Sequence, residues 1–153
     1  MRICVFGAGA VGGHLAARLA AAGHEVAVVA GGAHLEAMRR DGVKLLHGEE
    51  VIHGRVHSGS PAPQDAVLVT LKANLLGDFA DAASGWLGPD TAVVFAQNGI
   101  PWWYPAELPR LDPGGKLHRR IDMKNVIGWA VYSAEEGVEA GLADAEVGEG
   151  STW

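Results

Sequence analysis

Short apolar runs and stretches of helical spacing alternate along this chain, and that alternation predicts most of its elements. Residues 2–6 (RICVF) read as a buried strand. Val11, Leu15, Leu19 and Ala22 then recur at helical spacing over residues 11–22, and Gly23 stands where such a helix would end. Residues 25–29 form a second strand, and residues 32–40 a short helix. In that helix Leu35 and Met38 lie three apart on one side, while Arg39 and Arg40 sit at the C-terminal end, where cations suit the dipole. Residues 43–56 carry β-branched side chains among His47, His53 and, just beyond, His57, and predict a short extended excursion. Pro61 and Pro63 mark residues 58–64 as a loop. Residues 66–71 make a continuous strand of the kind buried on both faces, and Asn74 is placed to cap a helix running to about Trp86. Gly88, Pro89 and Asp90 turn the chain into a strand over residues 91–96.

Regularity then lapses. Pro101, Pro105, Pro109 and Pro113, with Gly114 and Gly115, make residues 98–125 irregular or only briefly helical, and connections of that length are usually functional or mobile. Residues 126–132 read as a further strand, and a glycine-spaced acidic tail ends at Trp153. There is no internal repeat, low-complexity tract or convincing second domain. The whole pattern predicts an α/β, doubly wound, mostly parallel sheet with helices on both faces.

Composition narrows the choice of function. A chain of 153 residues, 48% hydrophobic and 20% charged, is enough for one compact domain over residues 1–153. A net charge of -6 opposes a general nucleic-acid or membrane surface, so any phosphate site must be local. Cys4 is the single cysteine, which excludes an internal disulfide and makes a reducing compartment, the cytoplasm, the expected location. The apolar start has the look of a signal peptide, but Gly7, Gly9, Gly12, Gly13 and His14 interrupt it and Arg18 follows, which suits a strand, turn and helix better. No stretch approaches the roughly 18 apolar residues of a membrane span.

Gly7, Gly9 and Gly12 form G-x-G-x-x-G between a predicted strand and helix, the context that gives this motif its meaning. Gly7 permits the tight turn, Gly9 leaves room for backbone to approach a pyrophosphate, and Gly12 lets helix and strand pack closely; turn and packing glycines are the plain alternative. Exposed amides and the positive end of the helix dipole then face the anion. Parallel strands bring their carboxyl ends to one edge, which should collect Gly7, Gly31, Lys72 and Asn98. Lys72 there either neutralises phosphate, polarises a substrate oxygen or is a solvated strand end. Asn98, before Gly99, is a ligand or a turn former. After the second strand the chain reads Ala30, Gly31, Gly32: no acid to bond a ribose diol, which weakly favours a 2′-phosphorylated cofactor, but no arginine either. Arg39 and Arg40, at the far end of the helix, read as solvated.

The remaining chemistry-bearing residues have plainer readings. His53 and His57 lie four apart without a cysteine pair or HExxH helix, so no metal site is expected. Cys4 reads as a small hydrophobe. Asp65, Asp78, Asp81, Glu135 and Glu136 show no paired-carboxylate arrangement. Trp102, Trp103 and Tyr104 either line the mouth of the crevice or pack beneath the proline-rich loop.

Taken together, GAGAVGG, VTLKAN, AQNGIPWWY and VIGWAVYSAEE resemble ketopantoate reductase (2-dehydropantoate 2-reductase), over essentially the whole chain. The resemblance implies a Rossmann-type fold and reduction of 2-dehydropantoate to pantoate by hydride transfer from NADPH. It puts cofactor contacts on Gly7, Ala8, Gly9, Ala10, Val11 and Gly12, on Lys72 beside the nicotinamide half, on Asn98, which also holds substrate, and near Ala134. Two departures stand out. The family usually carries an arginine, gripping the 2′-phosphate, where this chain has Gly31. The family's second, helical domain, with its general-acid lysine and substrate-binding glutamate, lies beyond these 153 residues. The expectations that follow are a fragment, a truncated homologue or half of a split enzyme, with no catalytic residue of its own and with either that domain or a second copy as partner. Reduction of another small 2-oxo acid and a non-catalytic dinucleotide-binding module are the alternatives.

Overall fold

The computed structural model describes residues 1–47, 49–57, 62–104, 109–131, 134–139 and 142–146. Its main sheet is five-stranded and wholly parallel: β1 (Arg2–Phe6), β2 (Glu25–Val29), β5 (Ala66–Val69), β6 (Ala92–Ala96) and β7 (Val126–Trp129), in the order β2-β1-β5-β6-β7. The predicted strands are therefore present, and the sheet class is as expected.

Alternation of side chains along the strands sorts the interior into two layers. Cys4, Ala27, Val67 and Val93 form one row, and Phe6, Val69 and Phe95 the next, on the face covered by α3 (Leu76–Ala82) and α4 (Lys116–Arg120). Phe6, Phe79, Phe95 and Trp102 pack edge to face there, with centroids 4.9, 5.8 and 5.5 Å apart. On the other face Val5, Val26 and Val28 meet Ala16 and Ala17 of α1 (Ala10–Ala21), Met38 of α2 (Gly32–Asp41), and Val43 and Leu45.

The predicted extended excursion is a hairpin, β3 (Val43–His47) and β4 (Glu50–Gly54), and it belongs to a second sheet of order β4-β3-β9-β8. Here the structure corrects the acidic-tail reading: β8 (Ala134–Glu139) and β9 (Leu142–Glu146) are strands, β9 parallel to β3. Acidic, glycine-broken segments carry no strong strand pattern of their own, and pairing to an existing edge supplies it. Gly54 makes the contact with α1 possible, because a Cβ there would lie 3.0 Å from that of Ala20 and 3.1 Å from the Cα of Ala17.

Other boundaries also move. The helix expected from Asn74 to Trp86 is broken into a 3-10 turn (Ala73–Leu75), α3 and a second 3-10 turn (Ala83–Gly85), and Asn74 sits inside the first turn rather than capping a helix. β5 ends at Val69. His57 bridges Ala27 at the outer edge of β2 instead of sharing a strand with His53. Between Asn98 and β7 the chain is briefly helical, as expected, at Pro113–Gly115, α4 and Met123–Asn125. Pro61, Pro105, Tyr132 and Trp153, on which other expectations fell, lie outside the described residues. Among the described residues no helix is long and apolar enough to cross a membrane.

Candidate functional site at the carboxyl edge of the sheet

Chain order reverses between β1 and β5: β2 follows on one side of β1, and β5 pairs on the other. Doubly wound sheets open a crevice at such a switch point, above the strand ends. The glycine turn lies there. Gly7 adopts φ +112°, donates its N–H to Val29 O at 3.0 Å and is buried; Gly9, exposed, is the N-cap of α1 and accepts from Gly13 N at 2.7 Å.

Each glycine's role can be read from what a side chain would meet. A Cβ on Gly12 would lie 1.9 Å from Gly7 O and 2.6 Å from the Thr70 hydroxyl, so only glycine fits. A Cβ on Gly9 would meet nothing within 4 Å, which makes it the open side of the turn. No N-cap side chain closes α1, and its first turn holds no acid, so among the described residues the leading amides of Ala10, Val11 and Gly12, which have no helical partner, meet neither. Such an arrangement has the chemistry to accept an anion: amides and the helix dipole on one side, open space on the other.

Polar side chains brace the loops along the same edge. The Thr70 hydroxyl donates to Gly7 O at 2.7 Å, Gln97 Nε2 donates to Leu71 O at 2.6 Å, and Asn98 makes a reciprocal pair with Val131. In that pair Nδ2 donates to Val131 O at 2.8 Å and Val131 N donates to Oδ1 at 2.9 Å. Thr70 and Gln97 escaped the sequence reading because each ends an apolar strand and has no motif of its own. The signal available was a hydrogen-bonding side chain at a strand's carboxyl end, beside a neighbouring loop.

The structure thus brings four of the expected positions to one edge. Gly7 sits at the end of β1 and Gly31, exposed at the N-cap of α2 with φ -120°, after β2. A side chain at Gly31 would meet nothing within 4 Å. Lys72, exposed, follows β5, and its ammonium makes no ion pair with a described residue. Asn98 follows β6 before Gly99, whose φ of +99° turns the chain, so it is a loop former as well as an edge residue. Ala134 heads β8 in the second sheet, paired with Glu146, three residues after the Val131 that Asn98 latches. Arg39 and Arg40 stand at the opposite end of α2, held by Glu36 at 3.3 Å and Asp41 at 2.7 Å.

The aromatic segment divides. Trp102 is buried against Phe95 and His118, and Trp103 packs beside it, so these rings build core; Tyr104 is exposed. Cys4 is fully buried, and burial pushes its thiol up to about 12, which makes it inert. Among the described residues no group of histidine, cysteine and carboxylate side chains is placed to hold a metal.

Residues 3–102 match the protein family described as ketopantoate reductase PanE/ApbA. A 2-dehydropantoate 2-reductase of Mesorhizobium japonicum is 44% identical over 156 residues, an overlap of 93% of this chain and 48% of that protein. Of solved structures, a candidate ketopantoate reductase from Ralstonia solanacearum MolK2 aligns with a TM-score of 0.88 at 35% identity, covering 96% of this chain and 50% of that one. A 2-dehydropantoate 2-reductase from Porphyromonas gingivalis W83 aligns at 0.76 with 26% identity, covering 95% of this chain and 51% of that one. The chain spans about half the length of the relatives it matches.

Proposed function

The chain belongs to the ketopantoate reductase PanE/ApbA family, and from that premise we propose that it is a cofactor-binding domain for the NADPH-dependent reduction of 2-dehydropantoate to pantoate. One observation carries the reading: an uncapped helix N-terminus over a glycine turn at the switch point, where Gly12 admits no side chain and Gly9 faces open space. The turn from Gly7 through Ala8, Gly9, Ala10 and Val11 to Gly12 holds the diphosphate by its amides. Lys72, exposed at the same edge and in no ion pair with a described residue, balances phosphate or substrate charge beside the nicotinamide. Asn98 orders the loop after β6 and faces cofactor and substrate, and Ala134 offers backbone from the following segment.

When bound, the dinucleotide supplies the hydride that converts the keto group to an alcohol. Among the described residues none is placed as the acid for the accompanying proton transfer, a step typically worth 10²–10⁴-fold. Family resemblance puts the general-acid lysine in a further domain, so proton transfer falls to that domain. Cys4, buried and single, suits a cytoplasmic protein.

A second reading, that NADH serves equally, is favoured by Gly31, where no guanidinium meets a 2′-phosphate. Calorimetric titration with NADPH and NADH tests both. Dissociation constants of roughly micromolar order are expected for at least one; binding of neither overturns the proposal. Because space is open at Gly31, Gly31→Arg should fold normally and tighten NADPH relative to NADH by about tenfold or more. An unchanged ratio would place the 2′-phosphate elsewhere.

A further inference from the structure

We propose that Thr70 is a positioning residue for the diphosphate cradle, an assignment that rests on the cofactor reading above. Thr70 directly follows β5, the strand across the switch point from the glycine turn, and its half-buried hydroxyl reaches over to β1. It donates to Gly7 O at 2.7 Å, with Phe6 O at 3.3 Å beside it. The backbone repeats the link, Thr70 N donating to Phe6 O at 3.0 Å.

Two glycines of the motif are shaped around this hydroxyl. A Cβ on Gly12 would come within 2.6 Å of it and one on Gly7 within 3.0 Å. Thr70 therefore fills the corner where the end of β1, the turn and the start of α1 converge.

The consequence follows from peptide geometry. In a planar trans peptide the C=O and the next N–H point in opposite directions. Fixing Gly7 O toward Thr70 fixes the Gly7–Ala8 plane, and the Ala8 N–H then points away from Thr70. Gly7, at φ +112°, is the residue least able to hold that plane by its own torsional preference, since glycine has the widest choice of backbone conformations. Thr70 supplies the restraint from outside the turn and orders an amide donor before the anion arrives.

Titration of wild type, Thr70→Val and Thr70→Ser with NADPH, NADH and ADP-ribose, with amide exchange at Ala8 measured without ligand, tests this. Valine keeps the shape and removes the donor, so about tenfold weaker binding of all three ligands is expected, with faster Ala8 exchange. Serine restores the donor and should come within about twofold of wild type. Thr70→Ala replaces the valine variant where that does not fold. Wild-type affinity in the folded valine or alanine variant, or equal loss in serine and valine, overturns the assignment while the cofactor reading stands. Failure of wild type to bind any of the three overturns the cofactor reading and this role with it.

Discussion

The main sheet has two unlike ends. Around β1 and β5 both faces are covered, by α3 on one side and by α1 on the other, and the loops above are pinned by side-chain hydrogen bonds. At β7 the described residues pack against one face only. Val126 and Gly128 point to the aromatic cluster, where a Cβ on Gly128 would lie 2.9 Å from the Trp103 ring. Ile127 and Trp129, on the opposite face by strand alternation, are 50% and 42% exposed. Parallel strands are ordinarily buried on both faces. The comparison teaches that a closed, braced end holds the candidate site, while the other end displays apolar surface of the kind that marks an interaction region.

Truncation at the packed face should have the largest effect. Phe95 is fully buried between Phe79, Trp102 and Trp103, so Phe95→Ala should cost about 3–5 kcal/mol in urea denaturation. A loss below 1 kcal/mol would show the aromatic cluster to be loosely packed.

Next comes a contrast inside the glycine turn. Gly12→Ala drives a Cβ into the Gly7 carbonyl and should cost roughly 1–3 kcal/mol. Gly9→Val meets open space and should cost no more than about 1 kcal/mol, for a poorer N-cap residue, while weakening dinucleotide binding about a hundredfold by filling the ligand's approach. Equal stability losses, or full binding by the Gly9 variant, would place the anion elsewhere.

Asp112 comes third. It lies buried under α4, accepting from Leu117 N at 2.9 Å, His118 N at 3.1 Å and the His118 ring at 2.7 Å. Burial alone would raise its carboxyl, but the Leu117 amide and His118 outweigh that and hold it below the ordinary carboxylate range. A depressed folded-state pKa gives stability that is present above the unfolded value, near 3.9, and is lost as pH falls through the folded one. Asp112→Ala should therefore cost about 1–2 kcal/mol at neutral pH, and the gap to wild type should close in denaturation curves taken toward pH 2. A gap independent of pH would mean that packing rather than charge is at stake.

The smallest change belongs to the open face. Ile127→Ser, at a half-exposed side chain, should alter stability by less than about 0.5 kcal/mol in urea denaturation. A loss like that of Phe95→Ala would mean the open face is covered.

How much was legible beforehand varies with the range of the forces involved. Local pattern sufficed for the five parallel strands, the glycine turn and α1, because apolar runs, helical spacing and glycines at fixed offsets act over neighbouring residues. The same order of strands and loops was enough to bring Gly7, Gly31, Lys72 and Asn98 to one edge. What required the folded chain were partnerships across long separations: β9 joining β3, Thr70 holding Gly7 from 63 residues away and Asn98 latching Val131 from 33. A hydroxyl or amide has no preferred partner until folding delivers one. Likewise an isoleucine in a strand reads as core, and only the arrangement of helices over the sheet decided that Ile127 is left exposed.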